Sequence, residues 1–187
     1  MSLPRRSGAV LLLVGGLLET ARLIVFTLVS PLWPVAASIA VNLGPLACIG
    51  AGLIAIGISI RGRGRLALLI AGTLYLVLVA EIGVQTATRS SFGPGPSFLA
   101  GGAALIAVMV AAALLLSDRA LRGPARWAIA IPAAGIVLLI VGVYAPSLGS
   151  LRTDLLPGIG FAAAGGLLLR RTHPDLVAAR PLATGPS

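Results

Sequence analysis

Five side chains with polar chemistry stand inside otherwise apolar stretches of this sequence: Glu19, Arg22, Asn42, Glu81 and Gln85. Glu19 and Arg22 are three residues apart, and Glu81 and Gln85 four, so each pair shares one face if its segment is helical. Together the set holds two carboxylates and one guanidinium, which leaves one negative charge uncompensated. An apolar surrounding penalises such a charge. One of Glu19 and Glu81 is therefore expected to carry a proton, to face a water-filled cavity, or to pair with a cation or ligand.

Two readings stay open for these residues. In the first they form a substrate, ion or proton site, in which Arg22 holds a carboxylate or phosphate and Glu81 a cation, amine or proton. In the second, Arg22 bridges Glu19 and Glu81 and only fixes helix register. Asn42 and Gln85 fit interhelical hydrogen bonds equally well. Other polar groups are read as solvated: Asp154 and Arg152 at a surface, and His173 in a polar tail.

The chemistry that is missing narrows the function. One cysteine, Cys48, and one histidine exclude a disulfide, paired-histidine haem ligation and ordinary zinc or iron–sulfur sites. Cys48 lies in an apolar run and reads as a small packing residue. No GxSxG, HExxH or phosphate-binding glycine loop occurs. The chain is expected not to be an enzyme and to use no metal or cofactor.

The elements that must position the five residues follow from composition. The chain has 187 residues, 58% hydrophobic and only 10% charged, against about a quarter charged in soluble domains. Charge has been removed from most of the length, as lipid requires. Six apolar segments, 8–29, 35–60, 66–87, 97–116, 126–145 and 151–169, each come near the roughly 20 residues of a spanning helix. The expected fold is an all-α, polytopic, six-helix transmembrane bundle over residues 1–171. Residues 172–187 are expected to be a disordered cytoplasmic tail.

The apolar run resumes after Glu19-Thr20-Ala21 with no clean cleavage site, so the first segment reads as an uncleaved span and not a signal peptide. In the sixth, Pro157 and three glycines interrupt the run. The fourth holds no polar side chain between Ser97 and Ser117 and reads as scaffold.

All fourteen basic residues are arginine, and eleven of them fall in every second gap: Arg5/Arg6, Arg61/Arg63/Arg65, Arg119/Arg122/Arg126 and Arg170/Arg171/Arg180. The other gaps carry only Arg89 and Arg152. The positive-inside rule then puts both termini in the cytoplasm. Trp33, Phe92, Phe98 and Tyr144 fall at outer ends and Trp127 at an inner one, where aromatic belts sit. The net charge of +9 is thus a topology signal, and no nucleic-acid partner is expected. Exclusive use of arginine with abundant Ala, Gly, Val and Pro resembles high-GC bacterial proteins, so the expected location is a bacterial inner (cell) membrane. The even spacing of the basic clusters fits three tandem helical hairpins, and equally any regular six-span protein.

A rise of about 1.5 Å per residue puts Glu19 near the midplane, with Arg22, Glu81 and Asn42 roughly 5, 7 and 8 Å outward of it. A bundle that brings helices one, two and three together would hold a polar cluster in its outer half. Small residues four apart, at Ala36/Ala40/Gly44, Ala47/Ala51/Ala55 and Gly158/Ala162/Gly166, give faces for close helix packing or for another membrane subunit. The partners expected are therefore the lipid bilayer and, through those faces, a second subunit.

In size, span number and outer-half polarity the chain resembles the six-helix substrate-capture subunits of energy-coupling-factor vitamin transporters, a likeness of outline carried by no motif. The resemblance implies a small transporter or the substrate-binding membrane subunit of one. The alternative is a non-catalytic accessory protein that stabilises a partner complex.

Overall fold

A computed structural model describes residues 3–29, 35–60, 62, 64–88, 95–117, 125–144 and 153–170. The order is α1 (Leu3–Val29), α2 (Val35–Ser59), α3 (Gly64–Thr88), α4 (Gly95–Ser117), α5 (Ala125–Ala128), α6 (Ala130–Tyr144), a 3-10 turn (Thr153–Leu155) and α7 (Leu156–Arg170). All described elements are helical. Each of α1 to α4 contains a stretch long and apolar enough to cross a membrane. Helices α6 and α7 have 15 residues each, about 22 Å against a hydrocarbon core of roughly 30 Å. The six expected spans therefore meet the length requirement in four helices.

Prolines set the shape of the shorter elements. The fifth segment, expected as one helix, breaks at Ile129 because Pro132 cannot donate to the carbonyl of Ala128 and its ring crowds that turn. In the sixth, Pro157 does not interrupt a helix. The helix starts at Leu156, so Pro157 stands in the first turn, where a missing N–H costs nothing. Between α2 and α3, Gly62 takes φ 147°, a conformation open to glycine, and its carbonyl accepts from the Arg65 N–H at 3.2 Å.

Helices α1, α2, α3, α4, α6 and α7 form a closed ring in that order, with α7 returning against α1. Small residues bring the backbones together. A β-carbon on Gly8 would lie 2.9 Å from the Gly52 carbonyl oxygen, and one on Gly50 2.9 Å from that of Gly72. Gly16 meets Gly158 and Ala162, and Gly165 meets Ala9 and Leu13, so α7 runs antiparallel to α1. Cys48 packs on Gly15 as a small residue. Of the expected small-residue faces, Gly158 and Ala162 serve this internal packing, whereas Gly44 and Gly166 have no neighbour within 4 Å of a β-carbon.

The alternation of directions collects the described arginines Arg5, Arg6, Arg65 and Arg170 at one end of the ring. Leu12, Leu53, Ile56, Leu68, Leu115 and Leu168 are buried and fill the half of the axis nearest that end. The outward face of α6, with Ile131, Val137, Leu138, Val141 and Val143 exposed, is wholly apolar. The aromatic residues Trp127 and Tyr144 are exposed at the two ends of the α5–α6 segment. The tail 172–187, with His173, and the side chains of Trp33, Phe92 and Phe98 lie outside the described residues.

Candidate functional site

The Glu19–Arg22 pair forms as its spacing on α1 requires. The Arg22 Nε donates to Glu19 Oε2 at 2.9 Å and the Nη2 to Glu19 Oε1, a two-pronged ion pair within one helix face. The third contact crosses to α2: Arg22 Nη1 donates to Asn42 Oδ1 at 3.0 Å. The two charged side chains are only 15% and 21% exposed. Guanidinium–carboxylate bonds of this fork geometry are among the stronger hydrogen bonds in proteins. Thus Glu19, Arg22 and Asn42 come together as one network.

Glu81 and Gln85 form a second group on α3, where Gln85 Nε2 donates to Glu81 Oε1 at 3.2 Å. A β-carbon on Gly83 would sit 3.4 Å from Leu43, which puts this pair at the level of Asn42. All five residues therefore lie in the half of the ring opposite the arginine-bearing end. The bonds drawn from Arg22 go to Glu19 and Asn42.

Beside the network an axial cavity of about 210 Å³ opens in that same half. Every helix of the ring gives it a wall, through Glu19, Ile49, Tyr75, Leu105, Leu139 and Phe161. Asp154, from the 3-10 turn, lines it as well. Asp154, read as a solvated surface group, is half-buried, because the 3-10 turn packs against α1, α6 and α7. Likewise α4, read as scaffold, contributes Gly101 and Leu105 to the wall.

Two features of the cavity carry chemistry beyond the five residues. The rings of Tyr75 and Phe161 meet edge to face, 6.1 Å between centroids at 88°, across the ring from α3 to α7. Tyr75 is 5% exposed and lies within electrostatic range of the Glu19 carboxylate, and its hydroxyl makes no hydrogen bond among the described residues. A buried hydroxyl without a partner is costly.

The ion pair straddles two openings. Glu19 faces the axial cavity, while Arg22 lines a groove of about 290 Å³ between α1 and α2, walled by Leu18, Ala21, Val25 and Gly44. A wider apolar groove of about 520 Å³ lies between α4 and α6 and shares Gly101, Leu105 and Leu139 with the axial cavity. That seam is the most lightly packed of the ring. Among the described residues no cluster of three acidic, histidine or cysteine side chains is placed to hold a metal.

No family model, curated protein or solved structure matches the chain.

The sequence reading missed Asp154 and Tyr75. A signal existed for each. Asp154 is one of only five acidic residues and precedes the helix start marked by Pro157, where negative charge is favoured. Tyr75 is a lone aromatic at the middle of α3 in a chain with 4% aromatic residues, far from the interfacial belts where tyrosines of membrane proteins collect.

Proposed function

We propose that this chain is a six-span integral protein of a bacterial cell membrane with both termini in the cytoplasm. In this reading it is a small transporter, or the substrate-binding membrane subunit of one, and not an enzyme. The α5–α6 segment and α7 complete the ring and cross the membrane with it, which the apolar outer face of α6 supports. The arginine-bearing end is cytoplasmic by the positive-inside rule, and the cavity then opens toward the outside.

The observation that carries this reading is the Glu19–Arg22–Asn42 network at the edge of an axial cavity. Ionisable groups are expensive within a membrane and mark solute, ion or proton paths there. The test is uptake of a panel of labelled amines, amino acids and vitamins into cells that overproduce the protein. Arg22→Ala and Glu81→Gln are each expected to lower an uptake signal. If both variants insert normally and leave every uptake and binding signal at the wild-type level, the reading fails.

The second reading is a non-catalytic accessory protein that stabilises a partner complex. Gly44 and Gly166 favour it, because both stand on small-residue faces with open space over them, as a docking neighbour requires. Gly44→Leu or Gly166→Leu would then release a co-purifying partner, while Glu81→Gln would not.

A further inference from the structure

Resting on the reading of the axial cavity as a solute site, we propose that its ligand is uncharged: a compact apolar body with one carbonyl-type oxygen that accepts a hydrogen bond from Tyr75. Glu19 offers such a ligand no spare charge. Both of its oxygens already accept from Arg22, so the carboxylate is neutralised within its own helix. Asp154, the other carboxylate on the wall, has a partner as well. The rest of the wall is mostly hydrocarbon: Leu46, Ile49, Leu78, Leu105, Leu139 and Phe161. Bringing an ion into such a setting costs far more than bringing a neutral group.

The Tyr75 hydroxyl is the group left to orient a ligand. Tyr75 is 5% exposed and lines the cavity, and its hydroxyl makes no hydrogen bond among the described residues. A phenol can donate as well as accept, and a buried donor left without an acceptor destabilises the protein. A ligand oxygen would remove that cost. The edge-to-face contact with Phe161 on α7 steadies the Tyr75 ring, so the hydroxyl is held ready for one acceptor. Apolar walls with a few placed polar groups are the usual make-up of a small-molecule pocket. Water can also serve the hydroxyl, but it gains little from the leucines around it. An apolar body that brings its own acceptor displaces that water favourably.

Size agrees with a ring bearing a short carbonyl substituent. A cavity of roughly 150 Å³ is enough for benzene, and this one is about 210 Å³. The groove between α4 and α6 shares Gly101, Leu105 and Leu139 with the cavity and continues it as apolar space. The acceptor is carried either by a free solute or by the ester of a lipid whose chain lies in that groove.

The test uses the full chain in phospholipid nanodiscs and fluorine NMR of acetophenone, ethylbenzene, benzoate and benzylammonium, each carrying a para fluorine. Saturable binding of the ketone is expected, with ethylbenzene weaker by roughly twofold to tenfold, the worth of one neutral hydrogen bond. Neither ion should bind. Tyr75→Phe should weaken the ketone by that same factor and leave ethylbenzene unchanged, whereas a merely structural tyrosine would shift both alike. The unfolding midpoint of the empty protein should stay unchanged or rise in this variant, since a buried unpaired hydroxyl is removed. Leu105→Trp, which fills the cavity, should abolish binding of both neutral probes.

No saturable binding of the ketone, equal binding of ketone and ethylbenzene, an ion bound as tightly as the ketone, or an equal response of both neutral probes to Tyr75→Phe overturns the proposal. Nanodiscs of diether lipid, which lack ester carbonyls, separate the two sources. Tighter ketone binding there than in diester nanodiscs assigns the site to a lipid ester, and equal binding to a free solute; either supports Tyr75 as the donor. Ketone binding with no solute taken up by cells upholds this site and removes transport. Uptake that depends on Arg22 and Glu81, without ketone binding, upholds transport and removes this site.

Discussion

Arg22 makes two bonds along its own helix and one across to α2, and these decide what each substitution does. Arg22→Ala leaves the Glu19 carboxylate with no guanidinium in a mostly apolar setting. We expect a loss of about 2 kcal/mol of stability, below the range for fully buried pairs because both groups keep some exposure. The double variant Glu19→Gln/Arg22→Gln should cost less than Arg22→Ala alone, because no charge is stranded. Unfolding by steric trapping in bicelles checks both. Arg22→Lys should not restore the wild type, since a lysine cannot reproduce the fork. The i,i+3 and i,i+4 spacings made the Glu19–Arg22 and Glu81–Gln85 pairs legible in the sequence, and depth alone pointed to Asn42. Asp154 and Tyr75 escaped because their roles depend on how a 3-10 turn folds inward and on which residue faces the axis. Neither is encoded by local spacing.

Among the elements, α1 is gripped on both sides through glycine contacts, and the grip is uneven along the chain. Gly16 faces the backbone of α7 at Gly158 and Ala162, which cannot give way, while Gly44 faces open space. Gly16→Ala should therefore destabilise the protein by roughly 1–3 kcal/mol through forced separation of α1 and α7. Gly44→Ala should be neutral or stabilise by up to about 1 kcal/mol through helix propensity. Thermal unfolding in one detergent, with the two variants side by side, tests the contrast; equal losses would mean that α1 and α7 do not pack as described. Hydropathy located the helices well, because removal of charge over about 20 residues leaves little choice but a helix. It could not fix the break at Ile129 or the late start of α7, since an apolar run continues through both while proline acts on a single hydrogen bond. The pattern of small residues was visible too, but not which of them face a neighbour.

At the scale of the whole molecule, the ring sorts its charges: Arg5, Arg6, Arg65 and Arg170 at one end, and the carboxylates Glu19, Glu81 and Asp154, with Arg22, in the half away from it. If the arginine-bearing end is cytoplasmic, an impermeant maleimide applied to intact cells should label Thr88→Cys and spare Ser117→Cys, both in a Cys48→Ser background. Both sites are exposed and lie at opposite ends of the ring. Labelling of Ser117→Cys alone would invert the topology. The packed half of the axis, filled by Leu12, Leu53, Leu68 and Leu168, has an electrical consequence. A cup with a solid floor is no conductor. Any solute it passes must wait for helices to rearrange, which takes microseconds to milliseconds. In a planar bilayer the protein should thus give no unitary current steps, and its flux should level off with concentration, as a carrier's does.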